Sequence, residues 1–135
     1  MTINPLLAAY GKQCLDDADF SAVREALEDD YLTTGPKVAA FETALAAFTT
    51  APAAITCSSG TAALHLAYMA LGLKEGDSVI VPSITFVATA NAVRLCGAEV
   101  VFADVDAATG LLTVATASAA LQRARQKAKN PKAIV

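Results

Sequence analysis

Charge is scarce in this chain, at 17% of 135 residues, and the formal net charge is −3. A protein that tracks a nucleic-acid backbone needs a basic stripe to neutralise successive phosphates, and none is present. The one basic run, from Arg123 to Lys132, reads as a solvated helix face. Cysteine occurs three times, at Cys14, Cys57 and Cys96. The odd number and wide spacing fit neither a disulfide framework nor a zinc cluster. Buried, reduced thiols in a cytoplasmic protein are expected. Long apolar runs are also missing. The most apolar stretch, 62–73, is interrupted by His65 and is too short to span a bilayer. No basic region followed by a long apolar core opens the chain, so no secretory leader is expected. Neither a Walker A loop nor a G-x-G-x-x-G fingerprint occurs, which argues against the phosphates of ATP or NAD as ligands. Internal repeats, linkers and low-complexity stretches are absent from the pattern.

What is present is apolar. Hydrophobic residues make up 55% of the chain, enough to build the core of one modest domain. Asp19 reads as the N-cap of a helix over 19–29, with Phe20, Val23 and Leu27 on one face. A Gly35-Pro36 turn precedes a second helix over 37–48, with Val38, Phe41, Leu45 and Phe48 at helical spacing. A strand is expected over 53–56, then a small polar turn and a helix over 61–71 that ends at Gly72. Strand 78–81, helix 86–95, strand 99–103, a loop over 104–110, a helix around 117–129 and a strand over 132–135 complete the pattern. Strands without polar alternation belong in a sheet buried on both faces. Their alternation with helices predicts an α/β fold with a mostly parallel sheet and right-handed crossovers. A helical segment of about 1–50 precedes an α/β part of about 51–135. The final strand interrupts a regular alternation, so the rest of the domain is expected beyond residue 135.

The most informative local feature is Cys57-Ser58-Ser59-Gly60-Thr61 running into an apolar helix. A small turn opening a helix leaves backbone N–H groups without intrahelical partners. The helix dipole adds partial positive charge there, so the position suits a phosphate. Read alone, four small residues are more often an ordinary tight turn. Phe86 follows the next strand at the same edge of the sheet, where ligands of parallel sheets bind. It is either an aromatic face for a planar ring or a core residue seating its helix.

Five blocks carry a resemblance: Tyr31-Leu-Thr-Thr-Gly-Pro-Lys-Val-Ala-Ala-Phe-Glu42, Ser59-Gly-Thr-Ala-Ala-Leu-His-Leu66, Gly76-Asp-Ser-Val-Ile-Val-Pro-Ser83, Thr85-Phe-Val-Ala-Thr-Ala-Asn91 and Val101-Phe-Ala-Asp-Val-Asp106. In this order, from about Tyr10 onward, the chain resembles the N-terminal portion of the DegT/StrS nucleotide-sugar aminotransferases. These are fold-type-I enzymes dependent on pyridoxal 5′-phosphate (PLP). The resemblance implies part of the large domain of that fold, with the remainder and a small C-terminal domain absent. It implies that Gly60, Thr61 and Ala62 hold the PLP phosphate and that Phe86 stacks on the pyridine ring. Thr33 and Thr34 would lie near the sugar-binding cleft. It further implies an amino-acid donor, L-glutamate, a nucleotide-linked 4-keto-6-deoxy sugar as acceptor, and a homodimer. The start Tyr10-Gly11-Lys12-Gln13 is similar to transaminases that make 4-amino-4,6-dideoxy sugars.

The Schiff-base lysine and the acid that pairs with the pyridine nitrogen are implied to lie beyond residue 135, so no catalytic residue is expected within the chain, and the chain alone is expected to be inactive. Lys12, Lys37, Lys74, Lys127, Lys129 and Lys132 match no such block. Asp104 and Asp106 read as turn residues, and His65 as a hydrogen-bonded core residue. A non-catalytic PLP-fold regulator is the other reading.

Overall fold

A computed structural model describes residues 13–127 and 129–135. The chain divides into two compact units, Met1–Ile55 and Thr56–Val135. In the first, α1 (Asp17–Glu28) and α2 (Pro36–Thr49) are joined by a short turn. Helix α1 begins two residues earlier than the sequence pattern suggested, because Asp16 rather than Asp19 is the cap. The Asp16 carboxylate accepts from the amides of Ala18 and Asp19, and the Asp19 carboxylate accepts from the amide of Asp16. Asp19 is thus the third helical residue of a capping box. Pro36 starts α2, where its missing N–H costs nothing. Lys37 on α2 pairs with Glu25 on α1 at 3.2 Å. Both side chains are more than half exposed, so this pair contributes at most about 1 kcal/mol. The α1 stripe of Phe20, Val23 and Leu27 is at least 60% exposed. The periodicity located an apolar face correctly, but that face is not core.

The second unit is an α/β layer structure of α3 (Gly60–Ala70), β1 (Asp77–Pro82), α4 (Ala88–Leu95), β2 (Glu99–Ala103), α5 (Val114–Gln126) and β3 (Asn130–Ile134). Among the described residues the sheet has three strands, in the order β2-β1-β3, all parallel. The expected strand over 53–56 is not one of them, and Ile55 is 84% exposed. A strand exists only by pairing, and two alanines in four residues give little β propensity of their own. The expected strand over 78–81 is β1, central in the sheet and paired on both sides.

Strand β1 explains why its sequence is an unbroken apolar run. Val79 and Val81 pack against Tyr68, Leu73, Ala92 and Val93 from α3, α4 and the turn between α3 and β1. Ile80 points the other way, into a cluster with Ala103 and Ala120, flanked by Leu121 of α5. All three β1 side chains are inaccessible to solvent, and burying each is worth about 1.5–3 kcal/mol. The chain steps from β1 to β2 on one side, then crosses back to β3 on the other. Right-handed crossovers in opposite directions put their helices on opposite faces, so α4 and α5 sandwich the strand.

The cross-back is fastened at the start of β1. The carboxylate of Asp77, 4% exposed, accepts from Asn130 Nδ2 at 2.9 Å and pairs with Lys132 Nζ at 3.0 Å, both residues on β3. It also accepts from the amide of Lys74 at 3.1 Å. Register skips one residue of β3 at this point: Ser78 faces Pro131 and Val79 faces Ala133. Lys132 is the skipped residue, and its ammonium also reaches the Gly72 carbonyl at 3.2 Å. Helix α5 ends before the basic run is complete. Arg123 donates to the Phe102 carbonyl at 3.0 Å, and Lys129 pairs with Glu99. The run is therefore partly a set of ties to the sheet, not merely a solvated face. Cys14 and Cys57 are exposed and Cys96 half-buried, all three free, so burial does not describe the first two. No helix among the described residues is long and apolar enough to cross a membrane.

Burial raises the pKa of Asp77, but hydrogen bonds from Lys132, Asn130 and the Lys74 amide, with the Lys132 charge, outweigh it and hold the carboxyl below its usual range. A group depressed on folding contributes stability above its unfolded pKa, about 3.9, which is lost as pH falls through the lower folded value. Asp77→Asn is therefore expected to destabilise the protein at neutral pH, with the difference from wild type closing as the pH drops below about 4. Urea unfolding across pH checks this, and a difference that stays constant down to pH 2 refutes it.

Candidate functional site

The site is built where α3 begins. Ser59 is extended (φ −165°, ψ 161°) and caps the helix, its hydroxyl accepting from the Ala62 amide at 3.2 Å. Helical bonding starts with the Ala63 amide to the Ser59 carbonyl at 3.0 Å. The amides of Gly60 and Thr61, ahead of that first bond, have no intrahelical acceptor. They sit at the positive end of an 11-residue helix. A Cβ built on Gly60 meets no atom within 4 Å. Packing does not demand this glycine. The position its side chain would take is open space.

That space belongs to a concavity of about 670 Å³, lined by Gly60, Thr61, Leu64 and Ala67 of α3 and by Phe86 and Thr89 from the β1–α4 connection and α4. Its size is that of a small-molecule site and its lining is mainly apolar. The two sequence features meet here through the packing of α3 on α4, since no strand precedes the turn to align them. Helix α4 begins at Ala88 rather than at 86, so Phe86 stands in the loop that β1 delivers from its carboxyl end. The Phe86 ring is 75% exposed. It is not the core residue that one reading of the sequence made it.

Thr33 and Thr34 belong to the first unit, exposed in the turn between α1 and α2. Thr34 adopts φ 52° and donates its hydroxyl to the Thr33 carbonyl at 2.8 Å. His65 on α3 is half-buried, less enclosed than a core histidine. Asp106 is a turn cap: its carboxylate accepts from the Thr109 hydroxyl (2.9 Å) and from the amides of Thr109 (2.9 Å) and Ala108 (3.1 Å). Hydrogen bonding by the Thr109 side chain, then by its amide, lowers the Asp106 pKa. The block 10–13 falls largely outside the described residues, as does Lys12. Ser59 and Thr89 escaped the sequence reading of the site. A serine directly before an apolar helix is an N-cap signal that identifies the first. Nothing local identifies the second.

A second concavity, of about 500 Å³, lies at the opposite edge of the sheet and is lined by Asp77, Arg94, Glu99, Lys127 and Lys129 among others. Most of its charge is already engaged in structure, through the Lys129–Glu99 pair, the Asp77 ties to β3 and an Arg94 bond to the Ala98 carbonyl at 3.0 Å. The apolar concavity at the carboxyl edge is the better ligand site.

Residues 13–135 match the profile of the DegT/DnrJ/EryC1/StrS aminotransferase family. The chain belongs to that family. A UDP-4-amino-4-deoxy-L-arabinose–oxoglutarate aminotransferase of Shewanella sediminis (strain HAW-EB3) is 43% identical over 96 residues, which cover 71% of this chain and 25% of that protein. Among solved structures, a DegT/DnrJ/EryC1/StrS aminotransferase from Brucella abortus superposes with a TM-score of 0.76 at 38% identity, covering 85% of this chain and 31% of that one. A Streptococcus pneumoniae protein described as a sugar aminotransferase, in its PLP form, gives 0.73 at 32% identity, covering 79% and 27%. This chain thus spans between a quarter and a third of the length of these relatives. The α/β fold, with its parallel three-stranded sheet and flanking helices, is that of part of a fold-type-I aminotransferase. The family uses PLP, and the residues present suit that cofactor. Gly60 and Thr61 carry amides without intrahelical acceptors, Thr61 carries a hydroxyl, and Phe86 lines the same concavity with an exposed ring.

Because Phe86 is so exposed, Phe86→Ala is expected to change the stability of the cofactor-free protein by no more than about 0.5 kcal/mol. Chemical denaturation measures this, and a loss above about 2 kcal/mol would return Phe86 to the core.

Proposed function

We propose that this chain is the front part of the major domain of an aminotransferase that moves the amino group of an amino acid, L-glutamate, to a nucleotide-linked 4-keto-6-deoxy sugar for amino-sugar biosynthesis. The observation that supports it most is the open space at Gly60, facing α3 amides and an exposed Phe86 across one concavity. Family membership gives that arrangement its chemistry. A nucleotide-linked 4-keto sugar as acceptor is supported by the similarity to the aminotransferase of Shewanella sediminis, whose name specifies a UDP-linked 4-amino sugar and oxoglutarate. That sugar is a pentose, so the 6-deoxy part of the proposal rests on the family resemblance alone.

Each residue has a role in this reading. Gly60 and Thr61 hold the phosphate by backbone N–H groups and the Thr61 hydroxyl. Ala62, whose amide Ser59 holds, bounds the cradle with a side chain too small to block it. Phe86 covers one face of the ring. Thr33 and Thr34 contribute to the sugar cleft. PLP, when bound, supplies an electron sink for the carbanion left when an amino acid loses its α-proton. A phosphate held at one end and an aromatic on one face fix the ring plane, and with it the bond to Cα that aligns for cleavage. Holding the cofactor covalently and moving the proton fall to a lysine outside these 135 residues. The complete protein acts as a homodimer in the cytoplasm.

Complete protein carrying PLP is expected to convert L-glutamate to 2-oxoglutarate and to aminate a nucleotide-linked 4-keto-6-deoxy sugar, both followed by mass spectrometry. PLP uptake without amine transfer from any amino acid would favour a regulator instead. Residues 1–135 alone are expected to show no transfer and to self-associate. The apolar residues left exposed on α1 (Phe20, Val23, Leu27) and on α2 (Phe41, Phe48), and the outer edges of β2 and β3, unpaired among the described residues, invite it. Light scattering and turnover assays check this, and a monomer with turnover refutes it.

A further inference from the structure

The concavity depends on a ring that little holds. Phe86 is three-quarters exposed, so the packing that fixes a core aromatic does not fix this one. Its direction is set by its backbone. Thr89 makes two of the bonds that hold this loop, beside the Ser83 amide to the Ala103 carbonyl at 2.8 Å and the Ala90 and Asn91 amides to the Val87 carbonyl at 3.2 and 3.0 Å. The Thr89 amide donates to the Phe86 carbonyl at 3.0 Å, closing a tight turn over the loop. The Thr89 hydroxyl shares a hydrogen bond with the Thr85 hydroxyl at 3.1 Å, bracketing Phe86 from its other side. Thr89 is itself held. It is 8% exposed, and its carbonyl accepts from the Tyr68 hydroxyl of α3 at 3.4 Å. Burial, then the neighbouring Cys96, push the Tyr68 phenol up, so it remains a donor at neutral pH. The chain Tyr68–Thr89–Thr85 runs from the helix that carries the phosphate cradle to the loop that carries the ring.

We propose that Thr89 is a positioning residue: with Thr85 as its partner, it fixes the Phe86 loop relative to α3 so that the aromatic face is in place before the cofactor ring arrives. The assignment rests on the reading that Phe86 meets PLP. A loop already ordered gives up less conformational freedom on binding. A valine at 89 would keep the volume and lose the hydroxyl bridge. A serine would keep the bridge.

The test uses the complete protein stripped of cofactor and titrated with PLP, binding being followed by absorbance and the Phe86 loop by amide hydrogen exchange before PLP is added. Thr89→Val is expected to weaken PLP binding about three- to tenfold, the size of one neutral hydrogen bond, and to speed exchange at the Thr89 amide. Thr89→Ser is expected to restore both. Thr85→Val removes the bridge from an exposed residue, so it reports even where the change at 89 impairs folding. The double variant is expected to be no worse than either single one, because both remove the same bond. Wild-type binding with both valine variants unchanged overturns this assignment alone. Weakening that a lowered melting temperature accompanies, and that Thr89→Ser does not relieve, also overturns it. Wild-type protein that takes up no PLP overturns the cofactor reading, and this assignment with it.

Discussion

Strand β1 is buried on both faces and hydrogen-bonded along both edges, and the site inherits its geometry from that constraint. Val79 and Val81 anchor α3 and α4 on one side, while Ile80 anchors α5 on the other. A strand enclosed in this way has no freedom to slip by one residue, since a slip would exchange the side chains of the two faces. Its carboxyl end therefore delivers the loop 83–87 to one place. The same packing that buries Val79 seats α3 against α4 and brings the α3 amino end beside that loop. The candidate site needs no element of its own. It is the seam left where two helices on one face of the sheet begin.

The polar interactions divide the molecule between its two edges. At the amino ends of the strands, Asp77, Asn130, Lys132, Glu99 and Lys129 spend their charge and hydrogen bonds holding strands together. At the carboxyl ends, the α3 amides of Gly60 and Thr61 are left by helix geometry without intrahelical acceptors, and the position a Gly60 side chain would take is open. Under the proposed function, an anion at the carboxyl edge would meet a helix dipole in apolar surroundings, where a partial charge acts with less screening than in water. The exposed apolar faces of α1 and α2 belong to the other unit.

Much of this was legible in the sequence because it is local. A run such as Val79-Ile80-Val81 can only be stable where both sides of a strand are covered, so a parallel sheet followed from residue type. Strand 99–103 was read to the residue, and the positive φ of Gly72 and Gly97 fits the helix stops read there. The small polar turn running into an apolar stretch announced a helix start, because such a start is a matter of neighbours in sequence. Five ordered blocks announced the family, which the matched residues establish.

What the sequence determined by itself is therefore what short-range sterics and periodicity dictate: most of the element types and the turns between them. Tertiary structure alone decided what depends on partners distant in the chain. Residues 53–56 read as a strand, yet pairing makes a strand, and pairing is not a property of four residues. The pattern of Phe20, Val23 and Leu27 marks an apolar face without saying what covers it. Phe86 had the composition of a core residue and the position of a site residue; only the packing of α3 against α4 left its ring in the open. Thr89 looks from sequence like any threonine near a helix start. Its bond to Tyr68 exists because the fold brings an α3 side chain, 21 residues away, to its carbonyl.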